Sequence, residues 1–261
     1  MKTNLLESKF IYRLFWCMVL IGIWQVVSIS GVFEPLLFPS IPTIYYALKS
    51  SLSSGSLIKE SLYSLKLIGL GLSIGFIGAI LLAIIGNLSR HFNGLVETIA
   101  AIAHPLPGIA LLPLIILWMG TGANAILFII VHSVVWPLYL NMNTGFRSIP
   151  KIYREVSQNI GLNVINEVLH VIIPASLPHI LAGVKIGWAR AWRALISAEM
   201  IFGAAGGKGG LGWYIFQKRV YMDTAGLYAG LFVIIIIGIF IEDTIFEKIE
   251  ELTVKKWRTV A

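Results

Sequence analysis

Two arginines, Arg190 and Arg193, lie three residues apart within the long apolar segment 178–202. A helix places residues at this spacing on one face. Guanidinium groups match the geometry of oxyanions, and charged side chains inside a membrane helix are expected to face the protein interior. The spacing therefore indicates a cationic lining for a small anion such as nitrate, a sulfonate or a carboxylate. The alternative is that these charges form structural pairs and do not contact a solute.

Other residues of the same segment are candidates for this lining. Lys185 lies near the arginine face, or else extends its ammonium group to the membrane surface. Glu199 follows Arg193 by about a turn and a half of helix, which makes it a candidate partner of Arg193 or part of an outer gate. Together with Trp188 and the two arginines, Glu199 completes the candidate solute path on this segment.

Catalytic and metal-binding motifs are not indicated by the sequence. The stretch 206–209 resembles a phosphate-binding loop but has Gly209 where that motif needs Ser or Thr after the lysine. Ser73 lies between Gly71 and Gly75 as in a nucleophile elbow, yet inside an apolar segment, where small residues are typical of close helix packing. The five histidines show no metal-ligand spacing. We expect no catalytic residue, no metal and no cofactor in this chain.

The composition is that of an integral membrane protein. Of 261 residues, 57% are hydrophobic and only 13% are charged, and the mean hydropathy is +0.84. A soluble domain has about a quarter of its residues charged. The apolar runs are much longer than the roughly ten-residue alternating strands of a membrane β-barrel. An all-α membrane protein is therefore predicted.

Six transmembrane helices of about 20 residues are predicted. Their approximate bounds are 11–30, 65–85, 95–119, 123–142, 178–202 and 225–246. The corresponding domain plan is an N-terminal tail at 1–10, a membrane domain at 11–250 with a loop at about 147–177, and a C-terminal tail at 251–261. Between the first two spans, prolines followed by helical apolar spacing predict a turn and then a surface helix.

The third predicted span contains Pro105, Pro107 and Pro113. Each proline removes a backbone hydrogen-bond donor, so this span is expected to be broken or bent. A broken span usually faces a cavity or another helix, which adds the three prolines to the candidate solute path. The alternative is a packing kink with no role in transport.

Lysine and arginine are distributed unevenly between the predicted loops. More of them lie inside if both termini are cytoplasmic, and the positive-inside rule favours that orientation. The net charge of +7 is explained in this way, and no aromatic-interleaved basic patch indicates nucleic acid. The orientation also places the 147–177 loop in the cytoplasm.

That loop has a distinctive pattern between Glu155 and Pro174. Apolar residues at helical spacing flank Gly161 on both sides, which predicts two short amphipathic helices joined at this glycine. Glycine tolerates the backbone conformation that ends a helix, and Pro174 is expected to stop the second helix. The alternative is an amphipathic helix that only lies on the bilayer surface.

The spacing of Glu155, Gly161 and Pro174 resembles the Glu-Ala-Ala loop of the inner-membrane permeases of binding-protein-dependent ABC importers. Val156 and Ser157 stand where that motif has two alanines. The resemblance implies the six-helix type I permease fold and a docking surface for the ATPase subunits. The residues that it assigns to this coupling surface are Glu155, Val156, Ser157, Gly161, Ile173 and Pro174.

Two further stretches resemble the permeases for nitrate, taurine and aliphatic sulfonates. They are the proline-rich 104–114 with Trp118–Gly122, and Ala198–Ile201 followed by Gly210–Gly212; the insert 204–209 departs from the pattern. The resemblance implies a prokaryotic inner membrane, ATPase subunits that bind ATP and Mg²⁺, an extracytoplasmic solute-binding protein and a second permease copy, with lipid around them. The alternative function is an ion-coupled secondary transporter for a small anion.

Overall fold

The chain is helical throughout the part that the structure describes. The computed structural model describes residues 2–203 and 209–255. The helices in chain order are α1 (Lys2–Ile29), α2 (Ile41–Ser53), α3 (Ser56–Leu88), α4 (Arg90–Ala103), α5 (Leu112–Met119), α6 (Ala123–Ser148), α7 (Lys151–Asn159), α8 (Val164–Glu167), α9 (Ile173–Ala175), α10 (Leu177–Phe202), α11 (Leu211–Val220), α12 (Thr224–Phe240) and α13 (Glu247–Glu250). A 3-10 turn (Gly108–Leu111) precedes α5, and π-helical turns occupy Val168–Ile172, Ile241–Phe246 and Glu251–Lys255. The predicted insert at 204–209 lies outside the described residues except for Gly209.

Six spans are present when each bent pair of helices is counted as one. Four segments are individually long and apolar enough to cross a membrane: Ile11–Ile29, Ser56–Leu88, Ala123–Ser148 and Thr224–Val254. Two further spans are bent pairs, Arg90–Ala103 with Gly108–Met119 and Val164–Ala175 with Leu177–Phe202. The prediction of an all-α, six-span membrane protein is confirmed.

The third span is broken, as its prolines predicted. Its two halves meet at 87°, and the break contains Pro105 and Pro107. Pro113 has a different position, because it lies in the first turn of α5. There the missing N–H would have no helical partner in any case. The prediction that Pro113 interrupts the span is therefore wrong: this proline begins a helix.

The chain forms two compact units, one of residues up to 59 together with 214–234, and one of residues 60–213 with 235 onward. In the first unit, Trp24 stacks on Phe38 with ring centroids 4.1 Å apart and donates from Nε1 to the Pro39 carbonyl at 3.0 Å. The predicted helix after the proline turn is α2, capped by Ser40. These contacts fix the segment between α1 and α2.

Helix α6 is the centre of the second unit. Its side chains Ile126, Ile129, Ile130, Val134, Leu138 and Met142 are fully buried. A Cβ added at Gly75 of α3 would lie 2.7 Å from Val134 Cγ1, and one added at Gly183 of α10 would lie 2.9 Å from Asn141 Cβ. Both neighbouring helices therefore approach α6 through glycines. The predicted close packing of α3 is confirmed at Gly71 and Gly75, whereas Gly69 has open space around it.

Candidate functional site

A cavity of about 470 Å³ lies in the second unit at the break of the third span. This volume is within the range of roughly 300–1,000 Å³ that is usual for small-molecule sites. Three segments form its wall: the chain between α4 and α5, the middle of α6, and one face of α10. The lining residues are His104, Pro105, Leu106, Pro107, Gly108, Ile109, His132, Ser133, Trp136, Pro137, Arg190, Arg193, Ala194 and Ser197.

Arg190 contacts His104 in the lining of this cavity. Two terminal nitrogens of its guanidinium group are 3.4 Å from His104 Nδ1 and 3.3 Å from His104 Nε2. A neutral imidazole has one acceptor nitrogen, so at most one of these contacts is a hydrogen bond and the other is packing. The contact orients the guanidinium group and leaves several of its five N–H donors for other partners.

Arg193 lies one turn further along the same face of α10 and is exposed. Its Nε donates to the Ala189 carbonyl at 3.0 Å, which fixes the base of the guanidinium group on the helix surface. The two arginines therefore share a face, as their spacing predicted, and both line the cavity with Pro105 and Pro107. The structure brings these four predicted residues together.

The break of the third span is held against α6 at Gly108. A Cβ added there would lie 2.9 Å from Ser133 Oγ and 3.3 Å from the Ile129 carbonyl oxygen. One turn further along α6, Pro137 interrupts the hydrogen bonding of this helix, because it has no N–H for the Ser133 carbonyl. The cavity therefore lies where two neighbouring helices both depart from regular geometry.

Sequence reasoning missed the contribution of α6 and of His104 to the cavity. His132 and Trp136 lie four residues apart, so they share a helix face with each other. The available signal was this polar pair in an apolar span, the same signal that identified the arginines. His104 gave no such signal, because its neighbour Arg190 is 86 positions away in the chain.

Trp188 and Lys185 do not line the cavity. Trp188 is 5% exposed and stacks on Trp192, with ring centroids 5.5 Å apart. Lys185 forms an ion pair with Glu250. Residues two and five positions before Arg190 are rotated by about 200° and 140° from it on a helix, so they face other neighbours. Trp188 and Lys185 are therefore separate from the group of predicted residues that this cavity brings together.

Glu199 also faces away from the cavity and is 1% exposed. Both of its carboxylate oxygens accept from Ser64 Oγ at 2.8 Å, and Oε2 accepts from the Gly212 N–H at 3.0 Å. Ser64 Oγ accepts in turn from the Leu211 N–H at 2.9 Å. Six residues beyond Arg193 is about 240° of rotation, so the predicted pairing of these two residues is wrong. Instead, Glu199 and Ser64 cap the first turn of α11.

The glycines of the Gly210–Gly212 motif have a physical reason in this arrangement. A Cβ at Gly210 would collide with the Glu199 carboxylate, and one at Gly212 would lie 2.8 Å from Glu199 Cβ. Only glycine lets the backbone come close enough to give its N–H groups to Glu199 and Ser64. The Gly210–Gly212 stretch, which carries part of the resemblance, therefore lets Glu199 cap α11.

Replacing Glu199 with leucine is expected to destabilise the protein, because the buried Ser64 hydroxyl and the Gly212 N–H lose their partner. Each buried polar group left unpaired costs about 1–3 kcal/mol. The thermal midpoint of the detergent-purified protein should fall by several degrees, measured by size-exclusion chromatography after heating. The exposed Glu155→Leu variant is the control. An unchanged midpoint for Glu199→Leu would contradict the assignment of Glu199 as a cap.

The predicted pair of short helices around Gly161 is present as α7 and α8. Gly161 has φ of +76°, its N–H donates to the Gln158 carbonyl, and the Leu162 N–H donates to the Ser157 carbonyl, each at 3.0 Å. This is a Schellman motif, which needs a residue in the left-handed region at the position of the glycine. Asn163 then caps α8, since its Oδ1 accepts from the Asn166 N–H at 2.8 Å.

The second helix does not stop at Pro174. The chain remains helical through Ala175 and bends by 69° into α10, with Pro174 and Ile173 in the short α9. Pro174 lies near the end of the continuous helical segment Val164–Ala175, and its missing N–H does not stop the helix at this residue. The predicted stop is displaced to Ser176, which is fully buried.

Helix α7 is anchored on one side and open on the other. Arg154 Nη2 donates to Asn87 Oδ1 at 3.1 Å and to the Phe146 carbonyl at 3.3 Å, which ties α7 to the ends of α3 and α6. Ser157 is buried, and its hydroxyl donates to the Arg154 carbonyl. Ser157 therefore packs inside its own chain and is not on the open side.

The open side of α7 and α8 combines polar and apolar residues. Glu155, Gln158 and Asn159 are exposed, as expected. The apolar residues at helical spacing are exposed as well, with exposed fractions between about a half and two thirds; they are Ile152, Tyr153, Val156, Ile160, Val164, Ile165 and Leu169. An apolar patch of this kind, rimmed by polar residues, is typical of a protein or membrane contact surface.

The family described as "Binding-protein-dependent transport system inner membrane component" matches residues 67–251. The chain belongs to this family. It is a multi-pass inner-membrane component of an ABC importer, the permease subunit. The matched range contains the cavity and the α7–α9 segment, so both belong to the part of the permease that its family shares.

Related permeases cover nearly all of the chain. A Bacillus subtilis protein assigned as an aliphatic sulfonates transport permease is 27% identical over 92% of this chain and 85% of its own length. The bicarbonate transport system permease protein of Synechococcus elongatus is 29% identical over 80% of this chain and 78% of its own length. The resemblance to the nitrate, taurine and sulfonate group is thereby confirmed.

The fold matches that of a solved importer. The structure of the MetNI methionine ABC transporter in inward-facing conformations contains a chain with a TM-score of 0.60 and 15% identity to the permease. The match covers 76% of this chain and 96% of that one. The permease therefore has the type I importer fold that the resemblance implied.

Proposed function

We propose that this permease imports a small solute bearing an oxyanion group, and that the solute passes through the cavity at the break of the third span. The observation that supports this most directly is the presence of Arg190 and Arg193 in one hollow of about 470 Å³. The relatives named for sulfonates and bicarbonate suggest the same class of solute. Sulfonate and bicarbonate groups present negatively charged oxygens, which guanidinium groups bind by charge-assisted hydrogen bonds.

The energy is supplied by ATPase subunits that dock on α7 and α8. The exposed apolar residues of these helices give such a partner a surface to bury, and Glu155 gives it a charge to recognise. Gly161 sets the angle between the two helices. The six predicted coupling residues differ in exposure. Glu155, Val156 and Gly161 are exposed, Ile173 and Pro174 are half-buried, and Ser157 is buried. ATP and Mg²⁺ are bound by the partner, where hydrolysis takes place.

The remaining partners follow from the same role. A solute-binding protein delivers the solute from the outer side, and both termini of the permease lie in the cytoplasm. Arg193 and Ser197 are exposed although they line the cavity, which is consistent with a second permease copy that closes the path. The window 11–29 of α1 has no buried residue within this chain, so lipid or a partner covers it.

The test is solute uptake by the permease reconstituted in liposomes with its ATPase and binding protein. Labelled taurine, nitrate and bicarbonate are offered with and without ATP. We expect at least one of them to accumulate only when ATP is present on the side of the membrane where the ATPase subunits lie. Uptake that is driven by an ion gradient without ATP, by the permease alone, would instead establish a secondary transporter.

A further inference from the structure

Two polar atoms in the cavity wall are buried without a hydrogen-bond partner among the described residues. They are His132 Nδ1 and Trp136 Nε1, one turn apart on α6, with ring centroids separated by 6.4 Å. Neither side chain is exposed. An indole nitrogen is only a donor, and an imidazole Nδ1 donates when it carries the proton. Both side chains line the cavity, and their buried nitrogens are one fixed donor and one adjustable donor without an acceptor among the described residues.

Other polar side chains near these two on α6 are paired. Tyr139 donates to Asn93 Oδ1 at 3.0 Å, and Asn143 Nδ2 donates to Glu97 Oε1 at 2.8 Å. Ser133, which also lines the cavity, donates to the Ile129 carbonyl at 2.8 Å. A buried donor without a partner is costly, so these two nitrogens are candidates to bind an acceptor from outside the chain.

Helix α10 supplies positive charge to the same cavity. Arg190 is oriented by His104 and keeps N–H donors free of that contact, and Arg193 lies on the same face of α10. No carboxylate is among the residues that line the cavity. The lining residues therefore offer hydrogen-bond donors and positive charge to a bound solute. They offer no negative charge that would bind a cationic solute. A group with several acceptor oxygens on one centre fits this arrangement.

We propose that the cavity is a solute-holding site within the permease, in which Trp136 Nε1 and His132 Nδ1 donate to the oxygens of a sulfonate, nitrate or bicarbonate group held by Arg190 and Arg193. This rests on the proposed function, and adds that the permease itself selects the solute after the binding protein has released it. Trp136 and His132 contribute to specificity because their N–H donors point in fixed directions. A halide or a cation does not satisfy both donors and both guanidinium groups.

The test uses the permease–ATPase complex in nanodiscs without binding protein. Its thermal midpoint is measured with millimolar taurine, nitrate or bicarbonate, and with chloride and choline as a halide and a cation. A ligand that binds the folded state raises the midpoint. We expect one of the oxyanions to raise it and chloride and choline not to. Trp136→Phe, which keeps an aromatic ring but removes the N–H, should weaken that oxyanion's binding at least tenfold.

Matched variants separate recognition from folding. Trp192→Phe changes a tryptophan that stacks on Trp188 outside the cavity, and should bind as the unaltered complex does. His132→Leu should weaken binding, and His132→Asn, whose amide places a donor near the position of Nδ1, should restore part of it. If the Trp136→Phe complex folds poorly, the comparison of oxyanion binding by His132→Leu and His132→Asn tests the proposal.

The outcomes distinguish this site from the function on which it rests. A complex that imports an oxyanion with ATP, but whose midpoint does not respond to that oxyanion or responds equally in Trp136→Phe and His132→Leu, overturns the holding site and leaves the importer intact. A complex that shows no ATP-driven oxyanion uptake overturns the proposed function. Stabilisation by choline equal to that by the oxyanions also overturns the holding site.

Discussion

The double variant Arg190→Ala with Arg193→Ala is expected to lower ATP-driven solute uptake by about a hundredfold or more. A hydrogen bond to a charged group contributes about 1.5–3 kcal/mol, and each 1.4 kcal/mol corresponds to a factor of ten. Both guanidinium groups line the cavity, whereas neither holds a helix in place through a buried ion pair. Transport should therefore fail in a protein that still folds. The measurement is the initial rate of uptake in liposomes at equal amounts of inserted permease.

Charge-conserving variants show whether geometry matters as well as charge. Lysine at both positions keeps the positive charge but offers a point charge in place of a planar fork, so uptake should recover only in part. Arg90→Ala, which removes an exposed arginine at the start of α4, is the control for a general loss of positive charge. Uptake by the double alanine variant at the rate of the Arg90→Ala control would contradict a role for the two arginines in the solute path.

The second large effect is expected at the joint between α7 and α8. Gly161→Val should reduce solute-stimulated ATP hydrolysis by about tenfold, because a β-branched residue in the left-handed region costs about 1–2 kcal/mol and shifts the joint to another conformation. The two helices would then meet the ATPase at a different angle. The measurement is ATP hydrolysis by the reconstituted complex with and without loaded binding protein.

Gly31 gives a control matched in backbone conformation. Its φ is +74° against +76° for Gly161, and a Cβ at either glycine meets no atom within 4 Å. The cost of valine is therefore a backbone cost in both cases, but Gly31 follows α1 and lies outside the proposed docking surface. Equal losses of ATPase stimulation in the two variants would mean that strain in general, and not the angle at Gly161, produces the effect.

The sequence predicted features whose cause is local. Pro105 and Pro107 broke the third span because a proline removes a donor wherever it stands, and Gly161 joined two helices because few other residues tolerate a positive φ. Arg190 and Arg193 share a face because they lie three residues apart. In each case the physical reason is contained within a few residues of the chain.

The errors concern which neighbour a side chain meets. Glu199 was paired with Arg193 from their separation along the helix, but the rotation between them turns Glu199 toward Ser64 and α11. Trp188 lies on the same segment but stacks on Trp192 outside the cavity. His132 and Trp136 were missed because their significance depends on the wall that α10 and the third span place opposite them. Such contacts join segments that are distant in the sequence, and helical spacing alone does not reveal them.

Helix α6 connects the proposed docking surface with the cavity. Its Phe146 carbonyl receives the Arg154 side chain of α7, and Trp136 stands ten residues earlier in the cavity wall. Ten helical residues span about 15 Å, so a tilt of about 5° imposed at one end displaces the other by about 1 Å. Pro137, which lacks one backbone hydrogen bond, is where such a lever flexes most easily. In the proposed function, a movement of the ATPase would therefore reach the residues around the solute through one side-chain contact, Arg154 with Phe146, and the backbone of a single helix.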